Sequence, residues 1–236
     1  MDKACLIIRT NPGAQKTAAR VRGLGFEAII LPSANTIATL ADIEIDGVQA
    51  ILITSSNAPR LAKIPEEALS LPIFAVGDAT AEAAINRGFI NVISAGGDAS
   101  ALAVLVADRL KPKNGALLHL RGTEVAGDVH GLLETCGFEF RNIIVYDTID
   151  CDDFKANLPK TLAQNSGAVL FHSPKGAQRF AAASTPQMIT NWIAIGISQA
   201  AIKIFKDENW PWAQILVADN PNEMGLLDEL KDLDLP

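Results

Sequence analysis

Ten short apolar runs spread along the chain constrain its fold more than any other feature. They are Ala4 to Ile8, Glu27 to Leu31, Ala50 to Ile53, Ile73 to Val76, Asn91 to Ile93, Ala116 to Leu120, Asn142 to Tyr146, Ala168 to His172, Trp192 to Ile195 and Gln214 to Val217. Most end in small or polar residues and give way to helical spacing. Unbroken apolar runs of this kind are strands buried on both faces, as in parallel sheets whose crossovers are helices. Between the first two runs, Ala14, Ala18, Val21 and Leu24 form one helical stripe, with Lys16, Arg20 and Arg22 largely off it and Gly25 ending it. The hydrophobic content of 49%, only 6% of the chain being aromatic, is mostly Ala, Ile, Leu and Val and suits this α/β pattern. A length of 236 residues is comfortable for two domains of about a hundred residues each.

The pattern occurs twice. A run, a helix and a Gly-Phe-Glu turn before the next run appear first with Leu24-Gly25-Phe26-Glu27 and again with Cys136-Gly137-Phe138-Glu139. A second kind of unit has a run entering Thr54-Ser55-Ser56-Asn57 and later a run entering His172-Ser173-Pro174-Lys175. Each copy is followed by a run with a glycine turn, Val76-Gly77-Asp78-Ala79-Thr80-Ala81 or Ile195-Gly196-Ile197-Ser198-Gln199-Ala200. The order is therefore X-Y-X′-Y′, an internal duplication. Two five-stranded sheets follow either from X with Y and X′ with Y′, or from Y with X′ and the chain ends together. Periodicity alone does not choose. Segments 32–47 and 147–155 read as connections by their Pro, Asn, Asp and Gly content, and their positions favour the second arrangement.

Composition excludes several classes. A net charge of -7 without a dense Lys/Arg run argues against nucleic acid as a partner. Cys5, Cys136 and Cys151 are far apart and form no Cys-x-x-Cys pair, which fits a reducing cytoplasm and indicates neither a disulfide framework nor a metal site. Met1-Asp2-Lys3 leads straight into a short run, unlike a signal peptide, and no apolar run approaches the roughly 20 residues that span a bilayer. Gly-x-Gly-x-x-Gly, Gly-x-x-x-x-Gly-Lys-Ser/Thr and Gly-x-Ser-x-Gly are absent, which disfavours nucleotide cofactors and a hydrolase elbow.

In open parallel sheets, ligands bind beyond the carboxyl ends of strands, where helix N-termini offer free N–H groups to anions. The polar tips are Arg9-Thr10-Asn11, Thr54 to Asn57, Gly77 to Thr80, Arg121-Gly122-Thr123, Ser173-Pro174-Lys175 and Gly196-Ile197-Ser198. A single Ser or Thr there is ordinarily an N-cap; the number of such tips is what points to a site. His119 in a strand and His130 in a helix read as structural, whereas His172 stands at a tip with no carboxylate placed beside it. Tyr146, the single tyrosine, ends the strand leading into the second connection.

In order and spacing, Ile7-Ile8-Arg9, Ile53-Thr54-Ser55-Ser56-Asn57-Ala58, Val76-Gly77-Asp78-Ala79-Thr80-Ala81, Leu120-Arg121-Gly122, Val145-Tyr146-Asp147-Thr148, Phe171-His172-Ser173-Pro174 and Ala194-Ile195-Gly196 make the chain resemble the uroporphyrinogen-III synthase family along nearly its whole length. The resemblance implies two flavodoxin-like lobes with parallel five-stranded sheets and a two-stranded linker. Residues 1–34 and 151–236 would form one lobe and 35–150 the other, with the active site in the interlobe cleft. It implies cyclisation of the linear tetrapyrrole hydroxymethylbilane, with loss of water and inversion of the last ring, in haem biosynthesis. No cofactor or metal is implied, and the chain is expected to be a cytoplasmic monomer in transient contact with the enzyme that makes the bilane.

By the same resemblance Tyr146 assists departure of the hydroxyl, and Thr80 and Ser198 are cleft hydroxyls. Arg9, Thr54, Ser55, Ser56, Asn57, Gly77, Arg121, Gly122, Ser173, Pro174, Lys175 and Gly196 are expected to hold the substrate's eight carboxylates through side chains and backbone N–H groups. Ser198-Gln199-Ala200 stands where the family often has Thr-Thr-Ala, which removes the second hydroxyl. Trp210 and Trp212 replace a helix-ending glycine and are expected to cap the lobe. The competing readings are a non-catalytic two-lobed binding protein for a small anionic ligand and an inactive synthase paralogue.

Overall fold

The computed structural model describes residues 3–124 and 127–233. Met1 and Asp2, part of the leader argument above, lie outside the described residues. The chain divides into two compact units, Met1–Asn35 with Ile149–Pro236, and Thr36–Thr148.

In the first unit, strands β1 (Ala4–Ile7) and β2 (Glu27–Ile30) flank helix α1 (Gly13–Gly23). The later part of the chain returns to supply, in chain order, α6 (Asp152–Gln164), β9 (Gly167–Phe171), α7 (Pro174–Ala183), β10 (Trp192–Gly196), α8 (Gln199–Asp207), β11 (Gln214–Val217) and α9 (Glu223–Lys231). The sheet order is β11-β10-β9-β1-β2, with parallel ladders throughout. Period-two alternation splits the apolar runs between two cores. Leu6, Ile8, Val169 and Phe171 meet Phe154, Phe180 and Phe205 of α6, α7 and α8, while Cys5, Ile7, Leu170 and Ile195 meet Val21 of α1 and Leu226 and Leu230 of α9. Phe171, Phe180, Phe205 and Trp212 stack as one aromatic cluster, and Trp210 adds to Phe205. The two tryptophans thus close a core.

The second unit contains, in chain order, β3 (Ala34–Ala38), β4 (Val48–Ile53), α2 (Asn57–Leu61), β5 (Ile73–Ala75), α3 (Asp78–Arg87), β6 (Val92–Ser94), α4 (Ala99–Arg109), β7 (Ala116–Gly122), α5 (Val129–Glu134) and β8 (Phe140–Asp150). Its order is β3-β8-β7-β4-β5-β6, and the ladders from β8 to β6 are parallel. Ile51, Ile53, Ala75, Leu118 and Leu120 pack on the α2 and α3 side, and Ala50, Leu52, Phe74 and Leu117 against Leu102 and Val106 of α4 and Leu133 of α5.

Expectation and structure differ at three points. The second sheet has six strands rather than five, because residues 34–38, within a segment read as a connection, form the edge strand β3. The other segment is partly strand and helix: β8 continues to Asp150 and α6 starts at Asp152. On α1 the buried stripe is Ala14, Thr17, Ala18 and Val21; Leu24 is the cap residue and exposed, because the helix ends before its side chain can turn inward.

The duplication is visible in geometry. Gly25 and Gly137 both have φ of +85°, the left-handed conformation that only glycine adopts without steric cost. The following N–H groups, of Phe26 and Phe138, donate to the carbonyls of Val21 and Leu133, each at 3.3 Å, and both rings are buried. Written by repeat, and apart from the edge strand β3, each sheet runs from the second strand of X to its first, then through the three strands of Y. Among the described residues no helix is long and apolar enough to cross a membrane.

Candidate functional site

In each sheet the chain leaves the centre in opposite directions, from β1 and β9 in the first unit and from β7 and β4 in the second. The crevice beyond the carboxyl ends of such a strand pair is the favoured ligand position of an open α/β sheet. The expected residues fall at these ends in two sets. The first unit gathers Arg9 after β1, Ser173, Pro174 and Lys175 after β9, Gly196 at the end of β10 and Ser198 after it. The second gathers Thr54 to Asn57 after β4, Gly77 and Thr80 after β5, Arg121 and Gly122 at the end of β7, and Tyr146 in β8.

In the first unit Arg9 is engaged by a residue that sequence reasoning missed. Its Nη1 donates to Glu223 Oε2 at 2.8 Å. The same carboxylate accepts from the buried Thr17 hydroxyl at 2.5 Å and contacts His172 Nε2 at 3.1 Å. Burial works to raise the Glu223 pKa, but hydrogen bonds from His172 and Thr17, then the charges of His172 and Arg9, bring it down to about 2. Burial also lowers His172, against the hydrogen bond to Glu223, and leaves the imidazole neutral at pH 7. Beneath them burial, with the charge of Glu223, pushes the Cys5 thiol up, so it stays protonated and unreactive. Glu223 is the first residue of α9, where the helix dipole favours a carboxylate. Its only sequence signal was the Asn222-Glu223 helix start.

Ser173 and Ser198 act as N-caps, and Ser55 closes a turn ahead of α2. Ser173 accepts from the Gly176 N–H at 3.1 Å, Ser198 from Ala201 at 3.3 Å, and Ser55 takes the Asn57 N–H at 3.2 Å. Each cap uses a lone pair and leaves the O–H free to donate. Ser56 precedes α2 without a side-chain cap bond. Pro174 and Lys175 stand exposed in the first turn of α7. A Cβ at Gly196 would lie 2.5 Å from Ile202 Cγ2, so packing of α8 already demands that glycine, whereas a Cβ at Gly77 would meet nothing nearer than the Gly97 oxygen at 3.9 Å.

In the second unit, Gly122 and Tyr146 are paired in the β7–β8 register. A Cβ at Gly122 would lie 2.5 to 2.9 Å from the Tyr146 ring and hydroxyl, so the ring occupies the space that glycine leaves. Tyr146 is 9% exposed and Thr80 7%. Arg121 donates through Nε to the Gly122 carbonyl and through Nη2 to that of Thr123, both at 3.1 Å, which fixes the guanidinium against its own loop without neutralising it. Thr54 contacts His119, also missed as a pair, at 3.2 Å. Among the described residues no group of three His, Cys, Asp or Glu could hold a metal ion.

A family model described as "Uroporphyrinogen-III synthase HemD" matches residues 15–228. The chain is similar in structure to uroporphyrinogen-III synthetase from Helicobacter pylori 26695, with a TM-score of 0.66 and 16% identity over 96% of this chain and 97% of that one. It is also similar to a mutant uroporphyrinogen III synthase from the extremely thermophilic bacterium Thermus thermophilus, with a TM-score of 0.53 and 13% identity over 97% of each chain. At these identities the structural likenesses show the fold. Among curated protein sequences, none matches.

Proposed function

The chain belongs to the uroporphyrinogen-III synthase family, and we propose that the strand-end residues described above bind its substrate. Membership makes it a lyase of porphyrin and haem biosynthesis, converting hydroxymethylbilane to uroporphyrinogen III. The observation that carries the reading is the family match over residues 15–228, a span that includes every proposed site residue except Arg9.

The bilane's own pyrrole nitrogen pushes out its hydroxyl group, so the protein's task is to hold the chain folded and supply a proton to the departing oxygen. Tyr146 is the donor in this reading: its hydroxyl makes no hydrogen bond to another described residue and its ring is held against Gly122. The C–O bond breaks, the oxygen leaves as water, and the proton lost when the last pyrrole regains aromaticity balances the one given. Thr80, at the start of α3, has its hydroxyl similarly unengaged among the described residues. The backbone at Gly77 and the O–H groups of Ser55, Ser173 and Ser198 suit carboxylates. The first sheet's order, with the second strand at one edge beside the first, supports a flavodoxin-like reading, which the repeat extends to the second sheet. The neighbouring β3 and β8 serve as the linker in this reading. Because the bilane cyclises unaided to isomer I, the protein works in the cytoplasm where the bilane is made, in transient contact with its producer.

The test generates hydroxymethylbilane in situ and separates the oxidised uroporphyrin isomers. Mostly isomer III is expected; isomer I at the spontaneous rate, with folded protein, refutes catalysis. Tyr146→Phe is expected to lower kcat by about 100-fold, the lower range for a general acid, and full activity removes that role.

A further inference from the structure

Tyr146 lies on the face of its sheet that plain alternation along β8 denies it. Ile143 and Val145 pack on the α2 and α3 side, as period two requires, and Ile144 between them is exposed. Tyr146 should then turn away with Ile144, yet its ring belongs to the same core as Val145. The pairing with β7 shows why. The Leu117 N–H donates to the Glu139 carbonyl, and regular pairing from there would bring Thr123 to Val145. The Thr123 N–H donates instead to the Tyr146 carbonyl at 3.2 Å, and Gly122 pairs with Tyr146 directly after Arg121 has paired with Ile144. Val145 is the extra residue of a β-bulge, which re-aims the side chain after it.

The bulge leaves two successive carbonyls of β8, those of Ile144 and Val145, on the edge that faces β3, and one residue takes both. Thr39, directly after β3, donates its N–H to the Val145 carbonyl at 3.2 Å and its hydroxyl to the Ile144 carbonyl at 2.6 Å. A carbonyl only accepts, so both directions are fixed. A side chain without a donor at position 39 would meet only the first carbonyl, through the backbone.

We propose that Thr39 is a positioning residue: its N–H and hydroxyl hold the bulge at Val145, and the bulge holds the Tyr146 ring against Gly122, where its hydroxyl protonates the departing oxygen of the bilane. The inference rests on Tyr146 being the proton donor. Without the bulge the same sequence sends the single tyrosine to the opposite face of the sheet, toward α4 and α5.

Two measurements test this. Because the chain has one tyrosine, ring-labelled tyrosine gives a single set of NMR signals. In wild type the ring is expected to contact the Gly122 α-protons. In Thr39→Val those contacts should weaken and the ring signals shift, and in Thr39→Ser, which keeps the hydroxyl, they should return. A ring unmoved in Thr39→Val overturns the proposal whatever the activity. In the isomer assay, Thr39→Val is expected to lower kcat about tenfold with KM changed less than about twofold, and Thr39→Ser to restore most of the loss. Combined with Tyr146→Phe, Thr39→Val should cost nothing further. Losses that multiply, or a change in KM alone, show that Thr39 acts by another route and overturn the proposal. A displaced ring with kcat unchanged in both Thr39→Val and Tyr146→Phe also overturns it, through the donor assignment rather than through the bulge.

Discussion

Replacing Glu223 by Gln probes the ion network at the β1 and β9 ends. The side chain keeps its shape and loses the charge that accepts from Arg9, Thr17 and His172. A pKa brought from 4.5 to about 2 is worth at most about 3.5 kcal/mol at pH 7, at about 1.4 kcal/mol per unit. The realised cost is smaller. His172 is neutral at pH 7 and contributes a hydrogen bond rather than a full charge, and Arg9, with 35% of its side chain exposed, recovers hydration. We expect the variant to be about 2 kcal/mol less stable at pH 7.

The sign follows from the depressed pKa. The contribution is present above the unfolded-state value of 4.5 and is lost as pH falls toward about 2. Urea titrations of wild type and Glu223→Gln should therefore differ most near neutral pH, and more than half of the gap should be gone by about pH 3. A stability at pH 7 within about 0.5 kcal/mol of wild type, or a gap independent of pH, would refute the reasoning that the charge, rather than α9 packing alone, holds this corner.

Three further outcomes are expected. Gly122→Ala drives a methyl group into the Tyr146 ring, so it should lower kcat at least as far as Tyr146→Phe while a urea titration shows a cost of about 1–3 kcal/mol; a fully active variant would place the ring's role elsewhere. Arg121→Gln should raise KM about tenfold with little loss of stability, because its guanidinium is bound by carbonyls, whereas Arg9→Gln should chiefly destabilise the protein, because its charge is already met by Glu223; steady-state kinetics beside urea titration separates the two. Trp192→Phe removes the buried bond from Nε1 to the Leu162 carbonyl, 3.2 Å long, and should cost about 1–2 kcal/mol by the same titration.

Nine of the ten strand candidates contain most of an observed strand, and the tenth, Asn142 to Tyr146, is the middle of the longer β8, since burial on both faces demands continuous apolar sequence, a local property. The strand β3 escaped because Ala34-Asn35-Thr36-Ile37-Ala38 has no such run. An edge strand needs only one neighbour, and β8 supplies it. The strand-end residues were legible for a related reason: a strand that stops before a helix must do so with caps and turns, and Ser173 and Ser198 are such caps. Side-chain partners were not legible. Glu223 lies 51 residues beyond His172, and His119 lies 65 beyond Thr54. Nothing in local periodicity records which distant strand or helix becomes a neighbour.

The duplication makes the two strand-end corners comparable position by position. The repeat aligns Arg9 with Arg121 and His172 with Thr54. The first corner has answered its arginine with an internal carboxylate: Glu223 takes Arg9, Thr17 and His172 together. In the second, Arg121 bonds to uncharged carbonyls, and Thr54 pairs with a neutral imidazole. One corner is thus a self-neutralised joint that fastens α9, and its counterpart holds a cation on carbonyls beside hydroxyl groups. On the proposed reading, the proton for the departing oxygen and part of the hold on carboxylates come from the second kind of corner.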